Sequence, residues 1–262
     1  MSDLGTQEFT PTQNLSIQEL QDLSLRDFRS RFSSPTTPPH HFADSIGYFT
    51  TNEIDYPNSL DEIKARGGLH LAIMGGLDPV FGQIAVAHPD LTIITDINDA
   101  AIDTAIDGRV LPLENSQIGE EYWGKVKDYF RNVIRKKDPK RWDFPTDQDI
   151  SLGGWSSKER FPAVLESLKE RKIKFVSGDL IKDGLDLMEK LSKGTGIPLR
   201  LIYVSNIFDY LANDQEAFKQ RLKQGVTEGW VDKDAQIVDT GTSRDGLATK
   251  LFDIKDYIAT KF

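Results

Sequence analysis

The chain has 262 residues, 38% hydrophobic and 28% charged, which suits a soluble globular protein with a real core, built as one large α/β domain or two small ones. A net charge of −9 disfavours nucleic acid as a partner of the surface, and the absence of cysteine excludes disulfides, thiolate metal sites and a cysteine nucleophile. No apolar run is long enough to span a bilayer, and the N-terminal residues lack the basic and apolar regions of a signal peptide, so a cytoplasmic home is expected.

Residues 1–15 are polar and read as a mobile tail. Ser16-Ile17-Gln18-Glu19 is a capping-box pattern, and Leu20, Leu23, Phe28 and Phe32 follow at roughly helical spacing, which predicts a helix over 16–32. The prolines of 33–39 must break it. His40, His41 and Tyr48 lie in the stretch beyond, and Leu60 to Arg66 reads as a short helix stopped by Gly67-Gly68. Residues 1–68 are thus expected to form a tail and a helical arm or lid.

From residue 69 the pattern alternates. Strands are predicted at about 69–75, 91–96, 173–177, 199–205 and 235–239, with helices at about 79–88, 99–107, 183–192 and 214–224. That alternation implies a doubly wound, mostly parallel sheet with helices on both faces. Residues 108–171 interrupt it between the second and third strands. Helices over about 120–137 and from a second capping box at Ser156–Glu159 to about 171 make this a helical insertion. It either covers the carboxyl edge of the sheet or merely thickens one layer.

Four blocks follow the strands. The first strand ends in Gly75-Gly76, where missing side chains would let backbone approach a ligand. The second ends in Asp96-Ile97; a carboxylate there can accept hydrogen bonds from both hydroxyls of a ribose, or can cap the next helix. After the third come Gly178, Asp179 and Leu180, where Asp179 suits an acceptor for an adenine amino group, or a plain turn residue. After the fourth come Ser205 and Asn206, placed for the reactive end of a cofactor, and then Asp209 and Tyr210, which could face substrate. Strand, glycine turn, helix, strand, acid is a layout for an adenosine-containing cofactor.

These blocks resemble the class I, Rossmann-like S-adenosylmethionine-dependent methyltransferase superfamily over roughly residues 69–240. The resemblance implies S-adenosyl-L-methionine as cofactor and a small molecule as methyl acceptor. The cofactor would be held by Gly75, Gly76, Asp96, Ile97, Gly178, Asp179, Leu180, Ser205 and Asn206. The usual Gly-x-Gly is reduced to Gly75-Gly76-Leu77, and Ile73 or Met74 replaces the usual preceding acid, so Asp78 is the candidate to hold the amino-acid end. Only about twenty residues follow the fifth strand, which leaves little room for the superfamily's C-terminal antiparallel hairpin. More faintly, the glycine turn and the block from Ser205 to Asp209 resemble aminocarboxypropyl transferases, which use the same cofactor. A nicotinamide-dependent oxidoreductase or a non-catalytic Rossmann-like binding protein would also be built on such a sheet. Methyl transfer needs alignment above all; if a base serves, His41, Tyr48, Asp209 and Tyr210 are candidates. His70 and His88 read as structural. The basic run from Lys125 to Arg141 reads as a solvated helix face. No metal-ligand spacing is present.

Overall fold

The computed structural model describes residues 15–33, 60–74, 77–137, 154–205, 214–243 and 246–260. Six strands form one sheet: β1 (Leu69–Ile73), β2 (Leu91–Asp96), β3 (Ile173–Ser177), β4 (Leu199–Ser205), β5 (Val231–Ser243) and β6 (Gly246–Asp253). Their order is β3-β2-β1-β4-β5-β6. The first five are parallel and β6 is antiparallel to β5. Apolar side chains alternate along β1 and β2, so each face buries its own set: Leu69, Leu71, Leu91 and Ile93 on one, Ala72 and Ile94 on the other. Burial on both faces is what parallel strands require. The result is a three-layer α/β arrangement of Rossmann-like type.

One outer layer holds α3 (Leu77–Ala87), α4 (Asp99–Ala105), α5 (Leu111–Glu114), α6 (Gly119–Tyr129), the short α7 (Arg135–Lys137) and α8 (Phe161–Lys169). The other holds α1 (Ile17–Asp22), α2 (Leu25–Phe32), α9 (Leu185–Thr195), α10 (Gln215–Glu228) and α11 (Ile254–Ala259). Wider π-helical turns at Ile106–Val110, Phe130–Ile134 and Leu180–Gly184 join α4 to α5, follow α6 and precede α9.

The single helix expected over 16–32 is two. The Ser16–Glu19 capping box forms, but Leu23 turns extended and Ser24 caps a second helix by accepting the Asp27 N–H. Lys174, buried on β3, donates to the carbonyls of Gln21 and Leu23 at that break. Leu20, Phe28 and Phe32 enter the core of the second layer, so the described part of the arm is built into the sheet's packing. Residues 63–66 are irregular rather than helical, and Gly67 and Gly68 adopt left-handed φ of +59° and +75°. The C-terminal hairpin for which there was little room exists: β5 runs on through Thr240–Ser243, and β6 pairs with it from Gln236↔Asp253 to Ser243↔Gly246. Strand-favouring threonines carry β5 on past the strand predicted to end near 239.

The first layer hides a small polar network. His70 is 0% exposed; its Nε2 lies 3.0 Å from Gln83 Oε1 and its Nδ1 3.4 Å from Thr92 Oγ1. Burial pulls its pKa down to about 4, with the Gln83 contact working weakly the other way. An unfolded chain takes up that proton near pH 6.5 and the folded one does not, so stability falls as pH drops from about 6.5 to 4. His70→Gln should therefore lose about 2 kcal/mol less than the parent between pH 7 and pH 5 in urea unfolding. Identical losses would show that the imidazole titrates normally.

Candidate functional site

The strand order reverses beside β1, with β2 and β3 on one side and β4 and β5 on the other. In open α/β sheets the crevice at the carboxyl ends of such strands is the place for a ligand. Four sequence-predicted residues gather along that rim. Ser177 is the register partner of Asp96, and the Gly178 N–H donates to the Asp96 carbonyl at 2.9 Å, which sets Asp179 beside the end of β2. The Met74 N–H donates to the Thr95 carbonyl at 3.0 Å, so Asp96 stands level with the end of β1. Tyr203 pairs with Ala72, which puts Ser205 at the same height on the far side. Asp179 to Ser205 thus spans three strand spacings, roughly 14 Å.

Asp96 is half-buried at the end of β2. Burial pushes its carboxyl up to about 7, against the smaller opposing effect of the Asn98 N–H, which donates to Oδ1 at 2.8 Å. It does not cap the following helix. Asn98 does that, accepting from the Ala100 and Ala101 N–H groups at 3.0 and 3.3 Å. Ile97 is half-buried beside it.

Of the two readings of Asp179, the structure shows the turn residue. Its Oδ1 accepts from the Ile181 and Lys182 N–H groups at 2.8 and 2.9 Å, capping the π-helical turn. It therefore serves as a turn residue, and Oδ2 is the atom that could face a ligand. Gly178 is small for an internal reason: a Cβ there would lie 2.8 Å from the Asp183 side chain. Leu180 is buried with Val176 and Leu185 in the second layer, so its side chain belongs to the core. Ser205 is 4% exposed and has a left-handed φ of +49°, a strained backbone for a residue with a Cβ. Gly75, Gly76, Asn206, Asp209, Tyr210, His41 and Tyr48 lie outside the described residues.

No family model and no curated protein matches this chain.

Asp78 has the largest departure. It was the candidate to hold an amino-acid end, but its carboxylate is 5% exposed and paired with Arg109, itself 1% exposed. The Trp155 Nε1–H donates to the same oxygen at 3.0 Å, and the Arg109 Nε–H donates to the Tyr122 hydroxyl at 2.6 Å. The guanidinium carbon sits 5.3 Å from the centre of the Trp123 ring. Burial works against the Arg109 charge, but Asp78 and Tyr122 more than offset it and hold it protonated. Phe81, Trp155 and Phe161 complete the aromatic packing, with Trp155 and Phe161 stacked 5.9 Å apart and Phe81 edge-on to Trp155 at 4.8 Å.

Sequence reasoning missed Arg109. The signal was there: Ala101, Ala105, Arg109 and Leu113 are all buried at four-residue steps. An unbroken α-helix would rotate such a stripe by about 40° per step; the π-helical turn at Ile106–Val110 holds it on the core. The second capping box does not form. Ser156 Oγ accepts the Trp123 Nε1–H at 3.0 Å, and the helix starts later, at Phe161 next to Pro162. The insertion thickens the first layer and reaches the rim at Asp78. Of the basic run, Lys125 pairs with Glu121 at 2.6 Å, while Arg131, Arg135 and Lys136 are exposed. Among the described residues no cluster of His, Asp and Glu could hold a metal ion, and no helix is long and apolar enough to cross a membrane.

Proposed function

We propose that the chain is an S-adenosylmethionine-dependent transferase, most simply a methyltransferase acting on a small molecule. The supporting observation is Asp96. It ends the strand next to the switch point, it is spared the capping duty that Asn98 performs, and it keeps a carboxylate at the rim at a cost in solvation. A ribose diol offers two donors to such a group. The strained Ser205 two strands away is where the reactive end of the nucleoside would lie. A sulfonium nucleoside carries no phosphate, which also agrees with the start of α3. A nicotinamide dinucleotide needs the N–H groups of that helix terminus for its pyrophosphate. Here Pro79 in the first turn has no N–H to give.

Within this reading the chain's own residues bind and orient the cofactor, and the activated sulfonium needs only an aligned acceptor. Calorimetry should show the wild-type protein binding S-adenosylmethionine or S-adenosylhomocysteine and not NAD. Asp96→Ala should weaken that binding by about 1–3 kcal/mol through loss of a buried hydrogen-bond partner. Unchanged affinity would remove Asp96 from the ribose; preference for NAD would remove the cofactor.

A further inference from the structure

The rim is fixed from the helix side by groups that come from the insertion. Asp78 lies in the first turn of α3, directly after the stretch that follows β1. On the strand side, Met74 is tied to Thr95. On the helix side, the Asp78 carboxylate receives Arg109 from the π-helical turn and Trp155 from the segment before α8. Arg109 is in turn fixed by Tyr122 of α6, and Trp155 by the rings of Phe81 and Phe161. Two separate parts of the insertion therefore meet at one carboxylate at the rim, and a third, Tyr122, holds one of them in place. A buried ion pair and an indole N–H hold the carboxylate, which is almost fully enclosed.

We propose that Arg109 and Trp155 are positioning residues which, through Asp78, set the first turn of α3 at the rim and so make the insertion control how tightly the amino-acid and sulfonium end of the nucleoside is held. This rests on the cofactor reading above. The adenosine end is gripped from Asp96 and its neighbours on β2 and β3, which the insertion's contacts to Asp78 do not touch. The two ends of the ligand should therefore respond differently to the same substitution.

The test is calorimetry with two probes, S-adenosylhomocysteine and adenosine, on the wild type and two variants. Trp155→Phe keeps a ring in the cluster and removes one N–H; the double variant Asp78→Asn/Arg109→Met removes the ion pair without stranding a buried charge. Each should weaken S-adenosylhomocysteine roughly fivefold or more while adenosine changes less than about twofold. A merely structural role would lower both affinities together, or neither. Equal losses for both probes, or no loss, with wild-type binding intact, would overturn the positioning role and leave the cofactor reading standing. A wild-type protein that binds neither probe would overturn both.

Discussion

Asp96→Asn is expected to make the ligand-free protein more stable at pH 8 while it loses affinity for the nucleoside. The carboxyl ionises near pH 7 in the folded protein and near 3.8 in an unfolded chain. Below about pH 4 both states hold the proton and the group contributes nothing to the difference. Between pH 4 and 7 the unfolded chain ionises first, so stability falls as pH rises, by up to about 4 kcal/mol in all. Asparagine fills the same space and never ionises. Allowing for water at the half-buried rim, the gain at pH 8 should be about 2 kcal/mol, an increase in Tm of about 5 °C, with little change at pH 4. Thermal unfolding of the two proteins across that range reads it directly. A Tm that falls at pH 8 would mean that Asp96 supports the fold rather than a ligand, and a gain independent of pH would mean that burial does not shift its carboxyl.

Arg109→Met should have the largest destabilising effect of any single substitution at the rim. It leaves the Asp78 carboxylate buried with the Trp155 N–H as its remaining partner, which costs about 3–5 kcal/mol. Adding Asp78→Asn removes the stranded charge while keeping an acceptor for Trp155, and should restore most of that loss. Urea unfolding of the single and double variants measures both. If the second substitution deepened the loss, the pair would be contributing net attraction rather than compensating for its own burial.

The sheet was legible because its strands are short apolar runs bounded by turn residues. Those at 91–96, 173–177 and 199–205 need no correction. Legibility failed where side-chain hydrogen bonds decide between local options. Ser24 splits one amphipathic run into two helices, and Ser156 gives its oxygen to Trp123 instead of to a helix start. Neither choice is visible from spacing, since the competing partner is distant in sequence or the pattern is satisfied both ways. At the site, Asn98, not Asp96, caps the helix that follows β2, and the place of Asp96 at the end of a strand was readable from the apolar run before it. Asp78 was not, because its partner Arg109 comes 31 positions later and faces inward through a π-helical turn. A basic residue on a helix reads as solvated until tertiary packing says otherwise.

The network around His70 bears on how the chain finds its pairing. When both faces of a strand are apolar, sliding it one residue past its neighbour swaps one greasy side for another, and hydrophobicity alone barely distinguishes the two arrangements. His70 and Thr92 are register partners at the start of β1 and β2, with Gln83 closing over them from α3. A slip would bury an imidazole and a hydroxyl with nothing to bond to, at a cost of several kcal/mol. Three polar side chains thus act as an alignment key for the central strands, and the observed register is the one that gives each of them a partner.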